Sequence, residues 1–254
     1  MSSDQCSAHG KKLQEEVEAA LKVRDDFLVI VAHEFKTPLS VIIGYAQLIQ
    51  SRTPDLSSDT LDALRIVLSQ AGEIDNMLNT LLDASRACAG SLVLRMDDGD
   101  IMATTRKVIS DMQISTYRHV IELSCSEGND TIPLRFDAQR FETALRNVIS
   151  NAIKYTPNGG TIKVSADRVT ELGQDYLTLT VTDRGIGVFE DDIPFVFDRY
   201  FRGKNGGKTL NTQVSGLGVG LFVTKEIVRL HGGTISLYSD GIFRGTTVIV
   251  RIPL

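Results

Sequence analysis

The stretch Phe27–Leu39, FLVIVAHEFKTPL, sets a histidine beside a carboxylate and places a hydroxyl four residues further on. Apolar residues recur at Leu28, Val31, Phe35, Leu39 and Ile42, the spacing of one buried helical face. His33 falls off that stripe and should meet solvent; Glu34 adjoins it, and Thr37 follows one turn later on the same face as His33. Pro38 has no N–H to give the carbonyl of Glu34, so the helix should bend just past the histidine. An exposed imidazole with a carboxylate at its side is equipped to act as a nucleophile. With a reference pKa of about 6.5, much of it is unprotonated near neutrality. A lone surface histidine is more often merely solvated, and only the rest of the chain reverses that weighting.

Further along, Asn147 and Asn151 stand four apart in a helical run, with Lys154 and Tyr155 three and four residues beyond Asn151. Asparagine is a poor interior helix residue, so two on one face ask for a reason. An amide oxygen is a hard ligand suited to Mg2+, Lys154 can neutralise phosphate, and Tyr155 can pack against a ring. In Tyr176–Thr182, Leu177, Leu179 and Val181 alternate on one strand face and Asp183 continues their parity, aiming a carboxylate where apolar residues point. Gly185 and Gly187 follow and let a flat ligand approach the backbone. A carboxylate acceptor there matches an exocyclic amino group such as that of adenine. The loop Gly203–Gly220 ends in Gly216, Gly218 and Gly220 and runs into a helix, whose free N-terminal amides suit phosphate. Its spacing is neither the Rossmann fingerprint nor a P-loop.

These groups must be held by two kinds of element. Lys11–Arg24 is rich in helix formers and continues into the His33 helix, which runs to about Gln50; Ser51–Ser58 reads as a turn, and about Asp59–Ala87 as a second amphipathic helix. One such hairpin cannot bury its broad apolar stripe alone, and pairing with a second copy in a four-helix bundle is the economical solution. After Gly90 the pattern changes to short strands (Leu92–Arg95, Val120–Ser124, Thr161–Ala166, Tyr176–Thr182, Thr234–Ser239, Thr246–Ile252) interleaved with helices near Ile101–Met112, Asp137–Tyr155 and Leu221–Leu230. That is the signature of a sheet with helices on one face.

Composition is ordinary for a soluble protein of one or two domains: 254 residues, 42% hydrophobic, 23% charged. A net charge of −5 argues against nucleic acid or an anionic membrane as partner. Three scattered cysteines fit a reducing cytoplasm. The longest apolar run, Phe27–Ala32, falls far short of the roughly 20 residues a membrane span takes, and no signal peptide is visible, so a cytoplasmic location is expected.

In order, the chain reads HEFKTP, NVISNAIKYT, DRGIG, FDRYFR and GLGVG. This series resembles the transmitter of a bacterial sensor histidine kinase of two-component signalling, over about Lys22 to Leu254. The resemblance implies His33 as the phospho-accepting histidine, Glu34 as the assisting base, and Thr37 as a residue for dephosphorylating the partner. It places Asn147, Asn151, Lys154 and Tyr155 in the nucleotide and Mg2+ box, with Asn151 the metal ligand, and Asp183, Gly185 and Gly187 in the adenine box. Phe197, Arg199, Phe201 and Arg202 match an aromatic lid box, and Gly216, Gly218 and Gly220 the phosphate-side glycines. The implied fold is α+β: a two-helix hairpin dimerising into a four-helix bundle, followed by a Bergerat-type α/β sandwich that binds ATP. The expected domains are 1–24 (disordered start and signal-transmitting helix), 25–90 (dimerisation and phosphotransfer hairpin) and 91–254 (catalytic ATP-binding domain).

The implied activity is ATP-dependent autophosphorylation on His33 and transfer to an aspartate of a cognate response regulator, with a regulator phosphatase activity beside it. A chain acting mainly as phosphatase or scaffold, or a Bergerat-type ATPase clamp, is the alternative. Two features depart from the family. Tyr200-Phe201 reverses the usual aromatic order, and no sensor domain stands upstream of Lys11, so either the chain is an excised fragment or its input arrives through a partner protein.

Overall fold

The computed structural model describes residues 31–32, 35–51, 57–114, 116–126, 130–171, 173–203 and 217–254. His33, Glu34, Gly216, the expected helix over Lys11–Arg24 and the polar first ten residues lie outside the described residues. The chain divides into two compact units, Met1–Leu92 and Val93–Leu254.

The first unit is a helical hairpin. Helix α1 covers residues 35–51 and is helical through Pro38; Ser40 Oγ donates back to the carbonyl of Lys36 (2.9 Å). Helix α2 spans Ser58–Cys88. Ser57 caps it by accepting from the N–H of Thr60 (3.3 Å), and Asp59 in the first turn and Arg86 in the last complement the helix dipole. Lys36 Nζ on α1 donates to Asn79 Oδ1 on α2 (2.8 Å), and Asn79 in turn donates to Asp75. Leu39, Ala46, Ala71 and Ala84 are buried. The expectation that Phe35 and Ile42 share a buried face with Leu39 is corrected within one chain: they remain 60% and 50% exposed, as do Tyr45 and Ile66 at 65% and 64%. Two helices cover only the inward edge of so broad a stripe. Among the described residues no helix is long and apolar enough to cross a membrane.

The second unit is a sheet covered by helices. Its elements are β1 (Asp97–Asp100), α3 (Ile101–Ile114), β2 (His119–Ser124), β3 (Pro133–Phe136), α4 (Ala138–Lys154), β4 (Gly160–Glu171), β5 (Gln174–Asp183), a 3-10 turn (Glu190–Phe195), α5 (Gly220–Leu230), β6 (Thr234–Tyr238) and β7 (Thr246–Pro253). The main sheet has the order β2-β4-β5-β7-β6, with β2 parallel to β4 and the other neighbours antiparallel. Ile162, Val164 and Ala166 of β4, Leu177, Leu179 and Val181 of β5, and Val248, Val250 and Ile252 of β7 form one buried face with the apolar sides of α3 and α4.

Two expectations are corrected, and one small sheet has no counterpart among them. Leu92–Arg95 is not a strand: the N–H of Arg95 is taken by Asp137 Oδ2 (2.8 Å), so the segment is tied to a helix cap instead of a ladder. A small sheet forms just after it, β1 against β3, from DDGD and PLRF, neither of which has strand-like composition; the proline sits at the first position of its strand, where a missing N–H is tolerated. And β4 extends well past Ala166, because its ladder with β5 continues to Glu171↔Gln174, where Arg168 pairs with Asp175 and polar residues replace core ones.

Candidate functional site

Helix α4 owes its placement to the three-to-four spacing of Phe141, Ala144, Leu145, Val148, Ile149 and Ala152, all buried. Asp137 caps its start by accepting from the N–H of Arg140 (3.0 Å), and Tyr155 closes its end. Packed so, its last two turns present Asn151 and Tyr155 to a cleft bounded by the end of β5, the 3-10 turn and the start of α5. Val148, Val181, Leu237 and Val248 give it an apolar floor, and Arg202 and Phe201 line it from the segment after the 3-10 turn. The cleft combines this apolar floor with a few convergent polar groups, the lining of a small-ligand site.

Asp183 is the buried carboxylate of this floor. It follows Leu177, Leu179 and Val181 on the same face of β5 and is 7% exposed. Burial pushes its carboxyl above the usual range, and the N–H groups of Gly185 (2.8 Å) and Thr246, which donate to it, pull it part of the way back. The turn that follows is built by close approach. A Cβ on Gly185 would be driven into the carbonyl oxygen of Tyr155, which accepts from the N–H of Ile186 (2.9 Å). Gly187 has φ +68° and abuts the carbonyl of Gly241. Burial raises the phenol of Tyr155, and the positive charge of Arg202 opposes that rise.

Some of the remaining expected residues lie close to this cleft, and others do not. Asn147 sits one turn before Asn151, and its Nδ2 donates to the carbonyl of Gly220 (3.3 Å), tying α4 to the first residue of α5. Gly218 has φ +68°, and a Cβ there would stand 2.6 Å from the carbonyl oxygen of Phe201, so the glycine run is seated on the aromatic segment. Within that segment the rings of Phe195 and Phe201 lie 6.0 Å apart, and Arg199 stacks 5.1 Å over Tyr200, whose φ is +64°. The cap position of α5, Val219, makes no side-chain capping bond, which leaves the first amides of that helix for a ligand. Lys154 lies at the end of α4 and is not among the described residues that line the cleft. Thr37 belongs to the hairpin unit and is exposed.

Two cleft residues escape sequence reasoning. Asp192, on the 3-10 turn, is 6% exposed and lines the cleft, with Gly203 held close against it. Thr246 contributes through its backbone at the start of β7, opposite Asp183 in the ladder. A carboxylate-rich turn such as Glu190–Asp192 looks like a solvated surface, and backbone donors leave no trace in side-chain identity. Among the described residues no group of three or more His, Cys, Asp or Glu could hold a metal by itself. Asn151, whose amide oxygen is a hard donor of the kind Mg2+ accepts, lines the cleft.

Residues 136–254 match the family described as histidine kinase-, DNA gyrase B- and HSP90-like ATPase, and residues 23–90 match the His Kinase A (phospho-acceptor) domain. Hybrid signal transduction histidine kinase D of Dictyostelium discoideum is 29% identical over 248 residues, 96% of this chain and 16% of that protein. Sensor protein SrrB of Staphylococcus aureus is 28% identical over 235 residues, 91% of this chain and 38% of that protein. The chain thus spans well under half the length of these relatives. In fold it is similar to full-length ShkA in complex with AMPPNP (TM-score 0.63, 23% identity, 90% of this chain and 45% of that one). It is also similar to the Acinetobacter baumannii histidine kinase AdeS (TM-score 0.54, 22% identity, 87% and 97%).

Proposed function

This chain belongs to the sensor histidine kinases, as the transmitter region of a two-component system, and from that premise we propose that it is an ATP-dependent kinase that phosphorylates itself on His33. The observation that carries the reading is the burial of Asp183 on the core face of β5, at the floor of a cleft that Asn151, Tyr155 and Arg202 also line. A buried carboxylate that accepts from the backbone N–H groups of Gly185 and Thr246 still has lone pairs to offer an amino group, which suits adenine. Arg202 and the open amides of α5 face the phosphate side. Mg2+, with Asn151 as its protein ligand, would neutralise phosphate charge.

In the reaction a neutral ring nitrogen of His33 bonds to the γ-phosphorus as the bond to the bridging oxygen of ADP breaks, and Glu34 accepts the imidazole proton. Phosphoryl transfer asks chiefly for alignment and charge neutralisation, so a nucleophile carried on a separate unit meets the requirement. The phosphoryl group then passes to an aspartate of a response regulator, and Thr37 serves the reverse, phosphatase reaction. The exposed Phe35, Ile42, Tyr45 and Ile66 support a homodimer in which two hairpins make a four-helix bundle. Cytoplasmic action on input from a sensor domain or partner completes the reading. Incubation with γ-labelled ATP tests it: the chain should acquire acid-labile, base-stable label, whereas release of free phosphate alone would make it an ATPase.

A further inference from the structure

At the end of α4 and α5 remote from the cleft, a buried histidine closes a knot of hydrogen bonds that the kinase chemistry does not use. His231 follows α5 and is 9% exposed. Its Nδ1 lies 2.8 Å from the carbonyl oxygen of Ile227, and its Nε2 lies 3.1 Å from the backbone nitrogen of Asp137, the capping residue of α4. A carbonyl can only accept and a backbone N–H can only donate, so the two partners together require the neutral Nδ1–H tautomer. Asp137 is committed in two further directions, accepting from the N–H groups of Arg140 (3.0 Å) and Arg95 (2.8 Å). One knot therefore joins the start of α4, the end of α5 and the chain just past the first unit.

The two helices run from this knot to the cleft in opposite senses. Helix α4 starts at Asp137 and delivers Asn151 and Tyr155; α5 starts beside the cleft at Gly220 and ends at His231. At the cleft end they are joined again: Asn147 of α4 donates to the carbonyl of Gly220 (3.3 Å), and Thr224 of α5 donates to the carbonyl of Ala144 (3.5 Å). The two helices are thus joined at both ends. We propose that His231 is a positioning residue for the nucleotide cleft, acting as a clasp between α4 and α5 that closes only while its ring is neutral and opens on protonation. The proposal rests on the reading of the cleft as a nucleotide site.

Protonation would set a second N–H of the ring against the N–H of Asp137. Burial, the largest influence, already holds the imidazole below its ordinary range, while the carbonyl of Ile227 and the charge of Asp137 oppose that shift. Asp137 is the charged side chain that faces the ring from α4. On α5, Arg229 is paired with Glu226 (3.0 Å); on β7, Arg251 is paired with Glu171 (2.7 Å); Arg95 is exposed and joins the knot through its backbone. Acid should therefore open the clasp below the ordinary histidine range.

The test compares Mg2+-ADP affinity from pH 8 to pH 5 for the full chain and for His231→Gln, whose side chain can accept from Asp137 without titrating. At pH 8 the two should agree within about threefold. Towards pH 5 the wild type should lose several-fold more affinity than the variant, the difference cancelling the titration of Asp183 and of the nucleotide, which both share. Parallel profiles overturn the proposal. Should the variant not fold, the wild-type chain answers alone: in 1H–15N spectra the Asp137 amide and the amides of Asn151 and Tyr155 must shift with the midpoint of the His231 ring, and a cleft that ignores that midpoint overturns the proposal equally. If Asp183→Asn left nucleotide affinity unchanged, the reading of the cleft would fail first, which separates the two failures.

Discussion

Asp183→Asn exchanges one oxygen of the cleft floor for an NH2 group and little else. The amide oxygen can still accept from the N–H of Gly185, which lies 2.8 Å from the present carboxylate, so the turn need not move. The other end of the side chain then presents a donor where an adenine amino group also donates. Losing a charged acceptor in a buried site costs about 1.5–3 kcal/mol, roughly tenfold to a hundredfold or more in dissociation constant. Folding should respond in the opposite sense. The Asp183 carboxyl is raised by burial, so the folded chain holds its proton more tightly than the unfolded chain does. Such a group stabilises fully below its unfolded value, and that contribution is lost as pH rises through the folded value. At neutral pH the ionised group is thus a burden that the amide lacks, and the variant should melt no lower than the wild type. Calorimetric titration with Mg2+-ADP, paired with thermal unfolding at pH 7.5, reads both effects. Unchanged affinity would refute the assignment of the cleft floor, and a joint loss of affinity and stability would mean that the variant had simply disrupted the fold.

Gly185→Ala should act by crowding: the new methyl meets the carbonyl of Tyr155 and stands 2.8 Å from Thr156 Oγ1, so the backbone must shift at a cost of about 1–3 kcal/mol, seen as a lowered denaturation midpoint together with weaker nucleotide binding. Thr37→Ala removes an exposed hydroxyl from the hairpin and should slow dephosphorylation of the response regulator while autophosphorylation stays within a few-fold; equal losses in both rates would remove Thr37 from the catalytic set.

Much of this architecture is legible in the sequence because burial imposes a period. The apolar spacing of α4 locates that helix to within a residue of its caps at Asp137 and Tyr155, and the parity of Leu177, Leu179 and Val181 puts Asp183 on the core face. What stays hidden is held by partners distant in the chain. DDGD becomes a strand only because PLRF pairs with it, and Leu92–Arg95 fails to become one because Asp137, 42 residues from Arg95, takes its N–H. Asp192 and the backbone of Thr246 reach the cleft through the fold of the 3-10 turn and the β5–β7 ladder, neither of which has a local signature. Asn147 illustrates the converse: spacing singles it out for nucleotide chemistry, and the structure also gives it work between two helices.

The identity of the phospho-acceptor decides the central claim. Two other histidines are poor candidates, since both ring nitrogens of His119 and of His231 lie within 3.1 Å of hydrogen-bond partners in buried positions. The measurement is labelling of His33→Gln with γ-labelled ATP beside the wild-type chain, with nucleotide affinity determined on the same samples. The account predicts that the variant binds Mg2+-ATP as the wild type does and acquires no acid-labile label. Labelling of the variant at the wild-type level would contradict it and send the search for the acceptor elsewhere in the chain.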